Sequence, residues 1–566
     1  MFIPLKSLDS LAPDGSMLRA RAWDGEAKDF VYPEREAGIV RSSEPTGVAF
    51  SGGGNRAMVA AWGQLRALVE SGLIDKVDYI SAVSGGSWAS TAFTYYSDGA
   101  SNDEEFLGRT TAPSRIRVAE LERIAPHSLG AAATESFMSR LVEQGLEVAI
   151  GRITANEVWL RAVGSTFFER FGVYDPSRPA YISYDEKTVA DIVRRNPALQ
   201  GAAFSTVRNK TGDAKRPYLV VNSTLMWPNA DNMAHFEYTP LAAGSKRRLT
   251  FYNPPGDTSG QSQVVGGGFL ETFAFSGGAP AVWPPQDGLV RVPAPSQPFS
   301  LAFASGTSSA AFAATNASLV GANALLNQYI LQGPPVAQYW PWSDHSPEAQ
   351  TFTFGDGGSL ENFGVIPLLL RGVKRMVVFV NAERRLSMDY DPGEKAPWTQ
   401  PSIQELDGNL STLFGILPSD RQQPPTPNNQ VFRTEDFRGV VRALQAAQRA
   451  GGPAIVRTRL EVQPNDWWGL DGGWNADICW VYLERVDEFD SKLAPEVTQL
   501  VEAGRSAARN EKTPYWGFPN YRTMFQGGKM EILAMSPGEA NLLADFTSWV
   551  AQSSSRANLI RRTLGG

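Results

Sequence analysis

The sequence predicts an α/β fold: a central, mostly parallel sheet clad by helices on both faces, with large helical and loop insertions. Three observations predict it. An apolar strand, a glycine turn and an amphipathic helix follow one another from residue 46, and the same succession starts again at 77. A third apolar run, RMVVFVN at 375–381, reads as another buried strand far downstream. No repeat of solenoid or propeller period interrupts the 566 residues. With 42% hydrophobic and 20% charged residues the chain is long enough for one large core or two to three modules. No linker is long or low-complexity enough to cut it, so residues 1–566 are expected to form a single domain with insertions.

The elements follow in order. The first 45 residues are polar and turn-rich. Residues 46–51 (TGVAFS) form a short apolar strand that ends in Gly52-Gly53-Gly54. Met58, Ala61, Trp62, Leu65, Leu68 and Val69 then recur at helical spacing up to Gly72. Residues 77–83 form the second strand, and Ser84-Gly85-Gly86 turns the chain into a helix. Residues 103–175 are largely helical, and PYLVVNSTL (217–225) is a strand. Residues 351–354 alternate polar and aromatic side chains and lead into Gly355-Asp356-Gly357-Gly358. Segments 385–435 and 463–475 are rich in Pro, Gly, Asn and Asp and read as loops. Strands at 454–462 and 476–486 and a last helix at 539–552 complete the chain.

Composition narrows the function. The 52 Lys+Arg stand against 59 Asp+Glu, a formal net charge of −7, which argues against a polyanion binder and gives no bulk attraction to anionic membranes. One cysteine, Cys479, excludes an intrachain disulfide framework. The only histidines are His127, His235 and His345, so multi-histidine metal sites are nearly excluded. No run of 18 uncharged apolar residues suggests a membrane span, and the start, MFIPLKSLDSLAPDGS, shows no secretory signal. The expected compartment is the cytosol, with peripheral membrane contact; export without a cleaved signal stays open.

Three motifs carry chemistry. Gly52-Gly53-Gly54-Asn55-Arg56-Ala57 joins a strand to a helix start, where N–H groups at the positive dipole end suit a phosphate or an acyl-transfer oxyanion. It also fits G-x-G-x-x-A, but the second strand ends in Ser81-Ala82-Val83-Ser84 with no acid to hold a ribose. Ala82-Val83-Ser84-Gly85-Gly86 has the form of a G-x-S-x-G elbow with alanine first. A serine needs a base, and none of the three histidines stands in a motif. Asp356 does: it ends an apolar strand among Gly355, Gly357 and Gly358, and the following SLENFGVIPL does not alternate as the return strand of a hairpin should. A carboxylate with a pKa near 4 is a poor base for a hydroxyl, so burial would have to raise it.

Together, Ser51-Gly52-Gly53-Gly54-Asn55-Arg56-Ala57-Met58, Ser84-Gly85-Gly86-Ser87-Trp88 and Asp356-Gly357-Gly358 with Asn362 resemble the catalytic domain of cytosolic phospholipase A2 and fungal phospholipase B, and more distantly the patatin-like acyl hydrolases. Residues 159–164 (WLRAVG) with Phe167 and Phe168, 236–240 (FEYTP) and 545–549 (DFTSW) are similar to further stretches of that family. The resemblance implies a three-layer patatin-like fold and a Ser–Asp dyad without histidine, carried by Ser84 and Asp356. It implies oxyanion donors at Gly53 and Gly54, a lipid phosphate held by Arg56, and Asn362 near the site. No metal or cofactor is implied. Only about 45 residues precede the glycine turn, leaving no room there for a calcium-binding C2 module. The expected function is hydrolysis of a glycerophospholipid or lysophospholipid ester at a transient membrane or micelle surface. The alternatives are an esterase for non-phospholipid esters and a non-catalytic lipid binder. Trp283-Pro284-Pro285, Tyr339-Trp340-Pro341-Trp342, Trp467-Trp468 and Tyr515-Trp516-Gly517-Phe518 are candidate lipid contacts. Lys246-Arg247-Arg248 is a candidate phosphate contact.

Overall fold

The computed structural model describes residues 16–96, 103–208, 216–230, 232–252, 262–285, 288–314, 333–342, 348–395, 398–419, 428–507, 513–522 and 534–565. Its strands are β1 (Met17–Asp24), β2 (Thr46–Phe50), β3 (Tyr79–Val83), a short pair β4 (Tyr181–Ile182) and β5 (Phe204–Ser205), β6 (Tyr218–Met226), β7 (Met233–Tyr238), β8 (Ala242–Tyr252), β9 (Ser262–Glu271), β10 (Leu289–Pro293), β11 (Val336–Tyr339), β12 (Gln350–Asp356), β13 (Arg375–Val380), β14 (Ile455–Val462) and β15 (Trp474–Tyr482). All but β4 and β5 belong to one sheet, ordered β10-β1-β9-β8-β7-β6-β3-β2-β13-β15-β14 with β11 and β12 attached.

The centre of that sheet is parallel. β6, β3, β2, β13 and β15 run side by side in one direction. β2, β3 and β6 are buried at every residue, which explains their near-continuous apolar sequences. Helices α1 (Gly54–Glu70) and α2 (Ser84–Tyr95) follow β2 and β3 directly. The motif-bearing strands are where the sequence predicts them, and the helix expected at 539–552 spans Pro537–Gln552; it is not the last, since a further helix, Ala557–Gly565, follows it.

The sheet also has an antiparallel wing, β7 through β10 with β1, that the sequence pattern does not predict. Part of it lies in the stretch read as merely polar: β1 alternates buried Leu18, Ala20 and Ala22 with exposed Arg19 and Arg21. Glycines and a bulge at Ser245/Arg248 hide the period of β8 and β9.

One detail of the sheet makes the site. β3 pairs β6 up to Val83↔Asn222. From Asp356↔Ser223 onward β12 takes over, running antiparallel, while β7 holds the opposite edge of β6. β3 and β12 therefore share one edge of β6 and meet with their C-terminal ends facing.

Candidate active site

Ser84 follows the last residue of β3, and Asp356 is the last residue of β12. Their meeting brings Ser84 Oγ to 2.9 Å from Asp356 Oδ2, with the hydroxyl donating. Ser84 is the first residue of α2 and has φ +50°. A non-glycine side chain in the left-handed region carries roughly 1–3 kcal/mol of strain, tolerated where the surroundings over-determine it. They do so here. The Ser84 N–H donates to Ser308 Oγ at 3.0 Å, and that hydroxyl donates to the Asn222 carbonyl at 2.5 Å.

Two glycines let the elbow settle on the glycine turn. A Cβ at Gly85 would lie 1.9 Å from the Gly54 carbonyl oxygen, and one at Gly86 would lie 2.5 Å from that of Phe50. Both neighbours are backbone and cannot swing away. Gly85→Ala is accordingly expected to destabilise the fold by at least about 1–3 kcal/mol. It should also cut kcat/KM by about 10²-fold, because the serine and the turn move apart; denaturant titration and ester kinetics check the two effects.

Asp356 is tied on every side. Its Oδ1 accepts the Gly358 N–H at 2.7 Å, and its carbonyl accepts Thr224 Oγ1 at 2.9 Å. Ser223 Oγ donates to the preceding Gly355 carbonyl at 2.9 Å. The side chain is buried, and removal from water raises its pKa to about 6 against the opposing pull of the Gly358 N–H and the serine hydroxyl. The carboxylate thus has the raised basicity that proton abstraction from a hydroxyl requires.

The glycine turn lies against this pair. Gly53 and Gly54 open α1 with φ +137° and +60°, and a Cβ at Gly52 would come 2.9 Å from that of Ser84. The Gly52 N–H donates to the Asn362 carbonyl at 3.0 Å. Asn362 Oδ1 is wedged between Gly52 and Gly358, only 2.2 and 2.5 Å from where their Cβ atoms would stand. Buried Glu361 holds this loop by accepting the N–H groups of Phe363 (2.7 Å) and Ile366 (3.3 Å). Burial raises its own pKa to about 7.

Arg56, expected to hold a lipid phosphate, is buried and engaged by protein groups. It is 4% exposed, its Nε donates to the Asn381 carbonyl (3.1 Å) and its Nη1 to that of Tyr521 (2.7 Å), with Glu383 at 3.8 Å. The guanidinium braces the glycine turn from behind, because a turn residue's type does not tell which way a long side chain folds. The basic stretch is likewise engaged: Lys246 Nζ donates to the Gly469 carbonyl, and Arg247 pairs with Glu26. The Trp-rich stretches are mostly packed inward, with Trp283, Trp467 and Trp516 half-buried. Trp340, Trp342, Trp468, Tyr515 and Phe518 are buried, and Trp283 packs edge-on to Trp340 and Trp342.

No described histidine reaches the serine. His127 is exposed, and His345 lies outside the described residues. His235 is buried with Nε2 3.1 Å from Asn222 Oδ1, and burial pulls its pKa down to about 3. Ser308 and Asn222, which hold the elbow's backbone, stand in no recognisable sequence motif. The only hint was the dense run of small hydroxyls Ser305-Gly306-Thr307-Ser308-Ser309.

Residues 48–209 match the family model of patatin-like phospholipases. Cytosolic phospholipase A2 zeta of Mus musculus is 29% identical over 164 residues, which are 29% of this chain and 17% of that protein. The Homo sapiens protein of the same name is 30% identical over 140 residues, 25% of this chain and 15% of the relative. The chain thus matches less than a fifth of either relative's length. Among solved structures, human GIVD cytosolic phospholipase A2 superposes with a TM-score of 0.48 at 15% identity, covering 92% of this chain and 60% of that one. The glycine turn and the serine elbow both fall inside the segment that matches the patatin-like phospholipase model, while Asp356 reaches the serine from beyond that segment.

Proposed function

We propose that the protein is a lipid acyl hydrolase that cleaves a carboxylic ester of a glycerophospholipid or lysophospholipid through Ser84 and Asp356. The observation that carries this reading is the 2.9 Å hydrogen bond from a strained, buried serine to a buried aspartate whose pKa is raised to about 6. Asp356 Oδ2 takes the proton as Ser84 Oγ bonds to the ester carbonyl carbon. N–H groups of the glycine turn, at Gly53 and Gly54, stabilise the oxyanion. Asp356 then returns the proton to the leaving alcohol, giving an acyl-serine. A water that loses its proton to Asp356 attacks this ester, releasing the fatty acid and restoring Ser84. Asn362 supports the turn in this scheme, and Arg56, whose Nε and Nη1 donate to protein carbonyls, is the candidate ligand of the lipid phosphate.

The pH dependence has a definite sign. The base is active as carboxylate, so kcat/KM should be level above pH 7 and fall as pH drops through about 6, approaching tenfold per pH unit below it. A profile flat down to pH 4 would exclude Asp356 as the base.

Burial of Arg56 among protein partners favours a second reading, an esterase indifferent to phosphate. Turnover of phosphatidylcholine, lysophosphatidylcholine and triglyceride decides between them. The phospholipid reading expects the first two to exceed the third at least tenfold, and triglyceride as the best substrate would overturn it.

A further inference from the structure

Helix α3 (Phe137–Ala149) buries Phe137, Leu141 and Gly145. Its other side carries Val142 and Leu146, and Ile150 follows at its C-cap; these are 42%, 63% and 61% exposed. The spacing of four aligns them in a stripe along one flank. They are three of the eight large apolar side chains that the described residues leave exposed. A fourth, Val336, is 38% exposed and lines, with Arg152 just beyond the stripe, a groove of about 1050 Å³. The floor of that groove includes Phe354, two residues before Asp356 on the same strand, and Thr307, next to the Ser308 that holds the Ser84 amide. The groove therefore reaches from Arg152, two residues beyond Ile150, to the strand that carries Asp356.

We propose that α3 is the surface on which the enzyme docks to lipid: Val142, Leu146 and Ile150 enter a zwitterionic membrane surface and present the groove mouth to it. The proposal rests on the lipid-hydrolase reading above. Three observations select this occupant. Ser84 and Asp356 are only 2% and 6% exposed, so an ester anchored in a bilayer must be handed inward from a face that touches the bilayer. The charges flanking the stripe cancel, three against three: Arg140 pairs with Glu135 and Glu143, Arg170 also with Glu135, and Arg152 with Glu147. Such a face attracts neutral rather than anionic headgroups. The helix has 13 residues, too few to span a bilayer but suited to lying in the interface. A second copy of the chain is the poorer occupant, since three or four side chains cover a fraction of the roughly 800 Å² per partner that a stable dimer buries.

The test compares wild type with Leu146→Ser/Ile150→Ser in flotation with phosphatidylcholine vesicles, with turnover of a soluble short-chain ester measured alongside. The double variant should bind vesicles at least tenfold more weakly, as about tenfold per residue follows from withdrawing one aliphatic side chain from lipid. Soluble-ester turnover should stay within twofold. Added salt should leave wild-type binding unchanged. Leu146→Cys provides an independent readout, because the native Cys479 is buried and only position 146 takes a polarity-sensitive dye. Vesicles should shift its emission to the blue. Undiminished vesicle binding by the double variant, or no shift of the dye, overturns the proposal. So does a wild-type dimer that the double substitution dissociates without loss of vesicle binding. If wild type binds vesicles through this stripe but hydrolyses no ester, the hydrolase reading fails and the docking surface stands.

Discussion

Ser84→Ala is expected to lower ester hydrolysis by roughly 10⁴–10⁶-fold, the range seen when a nucleophilic serine is removed. It should also abolish covalent capture by a fluorophosphonate, read as the loss of one probe mass per chain. Folding should persist. The hydroxyl donates one hydrogen bond, to Asp356, whereas the elbow is held by its backbone through Ser308 and by the close seat of Gly85 and Gly86. Alanine keeps both. A melting temperature within a few degrees of wild type, with catalysis gone, separates chemistry from folding. Retained turnover would exclude Ser84 as nucleophile.

Asp356→Asn is expected to be as severe, for a different reason. Asparagine fits the same space, and its carbonyl oxygen still accepts the Gly358 N–H. It cannot take a proton from Ser84, and no described histidine is placed to substitute, His235 being spent on Asn222. The loss should be roughly 10⁴-fold in kcat. The acid limb near pH 6 should vanish from whatever activity remains. Stability should hold or rise slightly, because the variant no longer buries a carboxylate that burial holds above its ordinary pKa. A variant that keeps the acid limb would assign it to another group, with Glu361 the nearest candidate.

How much of this was legible in the sequence depends on distance along the chain. The glycine turn and elbow were legible because each is a local device: a tight turn at a strand end needs small residues, and the sequence shows them. Asp356 was legible by chemistry, as a glycine-flanked acid at a strand end in a chain short of histidine. Ser308 and Asn222 were not, since the contacts that define them span 224 and 86 residues. The antiparallel wing was missed because half-buried strands carrying Arg and Gly look like surface loop. The Trp-rich stretches are mostly packed, because aromatic residues serve a large core as readily as a lipid surface, and three aliphatic side chains along α3 are among the large apolar groups that stay exposed.

The head-on meeting of β3 and β12 also bears on how the enzyme is born. Its two reacting side chains lie 272 residues apart, and on the ribosome the serine emerges long before its partner. A nascent chain ending before β12 can lay down β3 and the elbow but holds no proton acceptor for the hydroxyl. Joining distant segments is also a slow step in folding. In the proposed mechanism the serine therefore stays without its base until the late strand docks on β6.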